Sequence, residues 1–237
     1  MTNILAIDSS TEACSVALLF NEKKFERFEI APRRHAELLL PMVDSILNEA
    51  NIELSALDAI ACCVGPGAFT GLRIAVSVAQ GLAFAANLPC IAISSLQALA
   101  IKAFKQNKAD ICFTAIDARM QEVYFAVYKR LENSKVELIG CEQVISPLQI
   151  DLANIEKKDL KLTKEMAVCI GSGWGEYEFI QSIQKVTGET LSHEYPNAIN
   201  MLDIALGLYK NAILLKPEEL QPVYLRNNVA KKKLSKK

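Results

Sequence analysis

The chain has 237 residues, 51% of them hydrophobic and 22% charged, and a net charge of −1. This describes a globular protein with room for one large or two modest domains, and it excludes a broadly basic chain that coats nucleic acid. No apolar run reaches the ~18–20 residues of a membrane span without an Arg, Gln, Asn or Pro inside it, so no membrane segment is expected.

The start, "MTNILAIDSSTEACSVALLF", has no basic leader and is interrupted by Asp8 and Glu12, so it is expected to be mature structure. Within and after it, "ILAIDSS", "CSVALLF" and "KFERFEI" read as three strands of a meander. Residues 33–50 carry Leu38, Leu39, Met42, Val43, Ile46 and Leu47 at helical spacing, with Pro41 inside the helix. Next come the buried strand "DAIACCV", the loop "GPGAFTG" and a helix from Leu72 to Ala86 that is apolar on nearly every side. The strand "CIAIS" and a helix from Ser95 to Phe104 close this half.

The pattern then starts again. "ADICFTAID", "VYFAVYK" and "KVELIGCEQV" read as strands, followed by a polar, Lys-rich stretch at 151–165. The strand "AVCIG", a helix from about Glu176 and another over 197–214 complete it. Two similar α/β halves imply a duplicated fold, divided as 1–103 and 104–226, with a basic tail at 227–237 expected to be disordered.

Seven cysteines, most of them inside apolar strand runs and none in a CxxC pair, point to a reduced, cytoplasmic protein. Charge is unevenly spread. No acid lies between Asp58 and Asp110, and the last seven residues, "KKKLSKK", hold five lysines. That tail reads most simply as a solvated end, with tRNA contact as the functional alternative.

The glycines of "VGPGAFTGLRIAVSVAQGLAFAA" invite a nucleotide-binding reading, which fails on spacing. A Walker loop needs Lys-Ser/Thr after its last glycine, and here Gly71 is followed by Leu72 and Arg73. A Rossmann loop needs G-x-G-x-x-G and an acid roughly twenty residues on. Here the third glycine is one residue late and the next acid is Asp110. The glycines are better read as a sharp strand-to-helix turn that lets the helix pack closely. "GSGWG" is not a nucleophile elbow, and two histidines with no zinc-spaced partners offer neither a triad nor a metal site. Asp8 ends the first strand, where actin-like and hexokinase-like ATPases hold metal–phosphate, but Ser9, Ser10 and Thr11 follow it without a glycine. The alternative is that Asp8 caps a turn through its own backbone.

Taken together, "ILAIDSSTEACSVAL", "RRHAELLLPMVDSIL", "VGPGAFTGLRIAVSVAQGLAFA", "IDARMQEVYFAVY" and "PVYLRNNVAKK" resemble the bacterial tRNA threonylcarbamoyladenosine biosynthesis family TsaB, also called YeaZ. The resemblance implies an actin-like (ASKHA) fold of two RNase-H-like halves, each a mixed sheet flanked by helices. It implies a cytoplasmic partner of the catalytic paralogue TsaD and the ATPase TsaE, in a complex that transfers a threonylcarbamoyl group to the tRNA adenosine beside the anticodon. The metal motif of that paralogue, His-Met-Glu-Gly-His, falls on Ser95-Leu96-Gln97-Ala98-Leu99, and its distal Asp-Asn motif falls near Pro196-Asn197. Its adenosine loop corresponds to "GSGWGEY", where Trp174 and Glu176 intrude. The expectation is a non-catalytic scaffold with no metal and no cofactor. The competing reading is a metallopeptidase-like or kinase-like enzyme in its own right.

The resemblance also implies that the helices at 33–50 and 72–86 form the dimer face, with the paralogue or with a second copy of the chain. On helical spacing, the expected partner stripe is His35, Leu38, Leu39 and Met42 on the first helix. On the second it is Arg73, Val76, Ser77 and Gln80.

Overall fold

Strand β1 (Ile4–Asp8) is buried on both sides: it sends Leu5 and Ile7 to one face of its sheet and Ile4 and Ala6 to the other. This is why the strand reads as a continuous apolar run. The computed structural model describes residues 1–132, 135–150, 166–177, 183 and 187–226. The Lys-rich stretch 151–165, most of the helix expected from Glu176 and the basic tail 227–237 lie outside the described residues.

β2 (Ala13–Phe20) and β3 (Lys23–Ile30) continue the meander antiparallel to β1, while β4 (Ala59–Gly65) and β5 (Cys90–Ser94) add in parallel, giving the order β3-β2-β1-β4-β5. The second sheet repeats this plan around β6 (Ile111–Asp117). β7 (Val123–Arg130) lies antiparallel to it, and β8 (Val136–Leu138) antiparallel to β7. On the other side, β10 (Ala167–Gly171) and β11 (Glu189–Ser192) are parallel. Two mixed sheets of one strand order, flanked by helices, are the duplicated, actin-like architecture that the sequence led us to expect.

The duplication extends to detail. "AID" ends both central strands, at Asp8 and at Asp117, and both neighbouring parallel strands end in a glycine at positive φ, Gly65 at +110° and Gly171 at +118°. Neither conformation is open to a residue with a Cβ without strain.

Helices α1 (His35–Ala50) and α2 (Phe69–Ala86) cover one face of the first sheet, burying Leu39, Val43 and Ile46 beside Ala75, Val76, Ala79 and Ala83. α3 (Ser95–Gln106) crosses to the second sheet and packs Leu96, Leu99 and Phe104 on Cys112, Tyr128 and Ile170. The opposite face of that sheet holds Phe113, Phe125 and Trp174, the last on the one-turn helix α4 (Gly173–Glu176).

Two sequence expectations are corrected, and one strand was not expected at all. "KVELIGCEQV" is two strands rather than one: β8 and β9 (Gln143–Ile145) both pair with β7, and Gly140, at φ 89°, turns the chain between them. β11, "ETLS", has no apolar run to announce it. Most consequential is α5 (Ala198–Lys210), which buries Ala198, Met201, Leu202 and Ala205 against the first sheet. The segment after α5 bridges Cys90 through Leu215, and Leu220 joins the core beneath α1 and α2. Residues 198–220 therefore pack with the first half, although sequence order placed them in the second.

Candidate functional site: a closed cleft and an open helix face

The two central strands end at a cleft of about 230 Å³ between the halves, lined by Ser10, Thr11 and Glu12 from one side and Asp117 and Arg119 from the other. Asp8, at the end of β1, is fully buried beneath it. Its Oδ1 accepts the Ser10 N–H at 2.8 Å, the self-capped turn that "AIDSST" suggests, and its Oδ2 has no hydrogen-bond partner. Burial raises the Asp8 pKa; the Ser10 N–H bond and the nearby Ser10 hydroxyl, Cys63 thiol and His35 offset part of that rise.

The glycine loop closes this position with backbone. A Cβ on Gly67 would lie 2.2 Å from the Ser10 carbonyl oxygen, and one on Gly71 would lie 2.0 Å from that of Ser9. Ala68 N–H donates to Ser10 O at 2.7 Å, and Ser9 Oγ donates to Gly71 O at 2.9 Å. The glycines thus join the β4–α2 turn to the β1–β2 turn, as the close-packing reading anticipates.

The residues expected to match the paralogue's metal motif are packing groups. Ser95 is buried and its hydroxyl donates to the Pro66 carbonyl, while Leu99, also on α3, is buried between that helix and the second sheet. Asn197 caps α5 through the Asn200 N–H. The His193 ring sits against Gly175, where a Cβ would come within 2.6 Å of it. Among the described residues, no three His, Cys, Asp or Glu side chains converge to hold a metal ion.

Two features of the cleft were not legible in the sequence. Arg119 spans it, pairing with Glu12 of the first half at 2.7 Å and with Asp117 at 2.8 Å. The C-terminal segment then straps the mouth. Val223 N–H donates to Val64 O at 2.8 Å, Tyr224 packs on Phe69 with ring centroids 5.2 Å apart, and Arg226 pairs with Glu122 of the second half. "PVYLR" carries no periodicity that could have shown this.

The predicted partner stripe divides into core and surface. Leu39 and Val76 are 0% and 4% exposed and His35 is 8% exposed, so these three belong to the chain's own interior. α1 and α2 lie side by side on the sheet, and these positions point down into it. Leu38 and Met42 are half-buried against the same core. Gln80 is half-buried and donates to Leu220 O at 3.0 Å; Arg73 is exposed but donates to the Tyr224 hydroxyl at 3.0 Å. Ser77 is exposed. The outward face of α2 is instead Thr70, Arg73, Ser77, Gly81, Phe84 and Ala85, with Phe84 81% exposed and open space around Gly81. α2 is long and apolar enough to cross a membrane by length and composition, yet only 33% of it is buried in the fold. A helix with one face on its own sheet and a second, mixed face uncovered, on which Phe84 stands out beside small and polar residues, has the form of an interface helix.

A two-lobed chain with two mixed sheets of one strand order, whose glycine loop packs on its own β1–β2 turn and whose α2 leaves one face uncovered, has the actin-like fold class. The family described as "TsaD: tRNA N6-adenosine threonylcarbamoyltransferase" matches residues 28–234. The tRNA threonylcarbamoyladenosine biosynthesis protein TsaB of Escherichia coli is 41% identical, with 98% of this chain and 97% of that protein aligned. The protein of the same name from Haemophilus influenzae is 40% identical, with 98% and 96% aligned. The solved structure titled "YeaZ from Pseudomonas aeruginosa" superposes with a TM-score of 0.86 at 39% identity, covering 95% of this chain and all of that one. The chain belongs to the TsaB (YeaZ) family of tRNA threonylcarbamoyladenosine biosynthesis proteins.

Proposed function

We propose that this chain is the non-catalytic scaffold of a cytoplasmic complex that adds a threonylcarbamoyl group to the tRNA adenosine beside the anticodon. It pairs through the outward faces of α1 and α2 with a TsaD-type catalytic paralogue, and the pair supports recruitment of a TsaE-type ATPase. Without the paralogue, the same face pairs with a second copy of the chain. One observation supports the reading best: the Ser9 and Ser10 carbonyls lie where Gly71 and Gly67 leave room for backbone alone, so the glycine loop beside Asp8 is packed against its own chain. Ser95 and Leu99, at the paralogue's metal-motif positions, supply neither an imidazole nor a carboxylate.

The test is to purify the chain alone and with its catalytic paralogue and to assay tRNA modification in each case. Activity that needs both proteins supports the scaffold reading. Threonylcarbamoyl transfer by this chain alone overturns it.

A further inference from the structure

The strap at 220–226 is tied to the first half at one end and to the second half at the other. Its near end runs along α2: Gln80 donates to the Leu220 carbonyl, Arg73 donates to the Tyr224 hydroxyl, and the Tyr224 ring packs on Phe69. Val223 is bonded to Val64 at the end of β4. Gly65, at φ +110°, makes room for it there, since a Cβ at that position would stand 3.1 Å from the Val223 carbonyl oxygen. The far end is Arg226, which pairs with Glu122 of the second half.

The far anchor is a strained turn. Arg119, Met120 and Gln121, between β6 and β7, lie at φ 60°, 58° and 62°, a left-handed conformation that residues with side chains rarely adopt. Three in succession persist only where the surroundings hold them. Arg226 does so: besides pairing with Glu122, it donates to the Arg119 carbonyl at 3.3 Å and to Met120 Sδ at 3.6 Å. The same turn carries the Arg119 guanidinium across the cleft to Glu12. One run of chain therefore touches both the helix with the uncovered face and the turn whose arginine closes the cleft.

We propose that residues 220–226 are a mechanical link through which a partner seated on α2 holds the cleft closed. A partner covering the outward face of α2 confines Arg73, and with it Tyr224. Tyr224 fixes the strap, and Arg226 at its end keeps the turn at 119–121, and so the Arg119–Glu12 contact, in place. Such coupling is reciprocal, so loosening Arg226 also weakens pairing. The link rests on the scaffold reading for where the partner sits, and it adds a consequence inside this subunit.

Amide hydrogen exchange on the full chain, alone and with the catalytic paralogue, tests the link. The probes are the amides of Ala118 and Glu122, which close the turn on the carbonyls of Glu122 and Arg119, with the amides of β1 as the reference for global opening. Tyr224→Ala cuts the near end of the strap, and Arg226→Gln and Glu122→Gln cut the far end from its two sides. In the chain alone, all three variants speed exchange at the two probes and leave β1 unchanged, although Tyr224 bonds and stacks on α2 and not on the turn. Pairing slows the probes about fivefold or more in the parent. In Arg226→Gln, pairing still protects α2 and no longer slows the probes. Equal slowing in the parent and in Arg226→Gln means that the partner touches the turn itself, and overturns the link. Probes that pairing leaves unchanged in the parent overturn it too, as does a Tyr224→Ala chain whose turn exchanges like the parent's; either result leaves the scaffold reading standing. Failure of the parent to pair with the paralogue or with a second copy counts against the scaffold reading instead, and Tyr224→Ala in the chain alone still decides whether the strap carries a change at α2 to the turn.

Discussion

The Ser9 carbonyl oxygen lies 2.0 Å from where a Cβ on Gly71 would stand, and the Ser9 hydroxyl donates to the Gly71 carbonyl. Both partners are backbone held in place by a strand and a helix, so neither can yield to an added methyl. Gly71→Ala is therefore expected to destabilise the chain by about 1–3 kcal/mol or more, as overpacking does. At this chain length that lowers the melting temperature by roughly 2–12 °C. A melting temperature equal to that of the parent protein would show that the loop has room, and that the cleft is less closed than this geometry implies.

The outward face of α2 gives the opposite result. Gly81 meets nothing within 4 Å of an added Cβ, so Gly81→Ala should stabilise the isolated chain by about 0.5–1 kcal/mol through helix propensity. Phe84→Ser should leave the circular dichroism spectrum intact and weaken pairing by about tenfold or more, the cost of one large apolar side chain left unburied. Leu39→Glu or Val76→Glu should instead unfold the chain, because each places a carboxylate in a closed core. Sedimentation of the four variants separates these outcomes. A folded, paired Phe84→Ser protein would move the interface off this face.

What the sequence could show followed from periodicity and spacing. β1, β2, β4, β6, β7 and β10 are buried apolar runs, and each lies where its pattern placed it. The role of the glycines was legible too, because "GPGAFTG" fits no nucleotide loop. The side of α2 that meets a partner was not. The polar residues of α2 stop at Gln80, and the turn beyond them is apolar on every side, so Val76 and Phe84 look alike until the sheet beneath Val76 is known. Nor was the return of α5 to the first sheet, since chain order carries no record of a crossover. Edge elements such as β11 were missed because "ETLS" offers a single apolar residue, Leu191, too little for a pattern.

Arg130 links the halves' boundary helix to the second sheet. Its guanidinium donates to the carbonyls of Phe104 and Ala109 at 2.8 Å and to that of Asn107, and it lies 4.6 Å from the centroid of the Phe104 ring. These donors satisfy the end of α3, which a helix otherwise leaves without partners. Arg130→Ala should cost roughly 1.5–3 kcal/mol in urea unfolding, the range for hydrogen bonds to a charged group. Arg130→Lys should recover little of this, because an ammonium cannot span three carbonyls in a fixed fork. Full recovery by lysine would reduce the role of Arg130 to its charge.

Asp8 makes the stability of the fold depend on pH. Burial holds its pKa above the ordinary value, so the folded chain binds this proton more tightly than the unfolded chain. As pH rises from the unfolded carboxyl range through the folded pKa, the folded state is the one that has to give up a favoured proton, and stability falls across that window. Below the window the penalty is absent; above it the penalty is present in full. Asp8→Asn keeps an oxygen to accept the Ser10 N–H and removes the buried charge. The variant is therefore expected to gain stability over the parent at neutral pH, with the gain shrinking as pH falls towards the ordinary Asp range. Paired urea titrations at neutral and acidic pH measure that difference directly. A variant less stable than the parent at neutral pH would mean that the charged carboxylate, through Ser10, Cys63 and His35, is worth more to the fold than its desolvation costs.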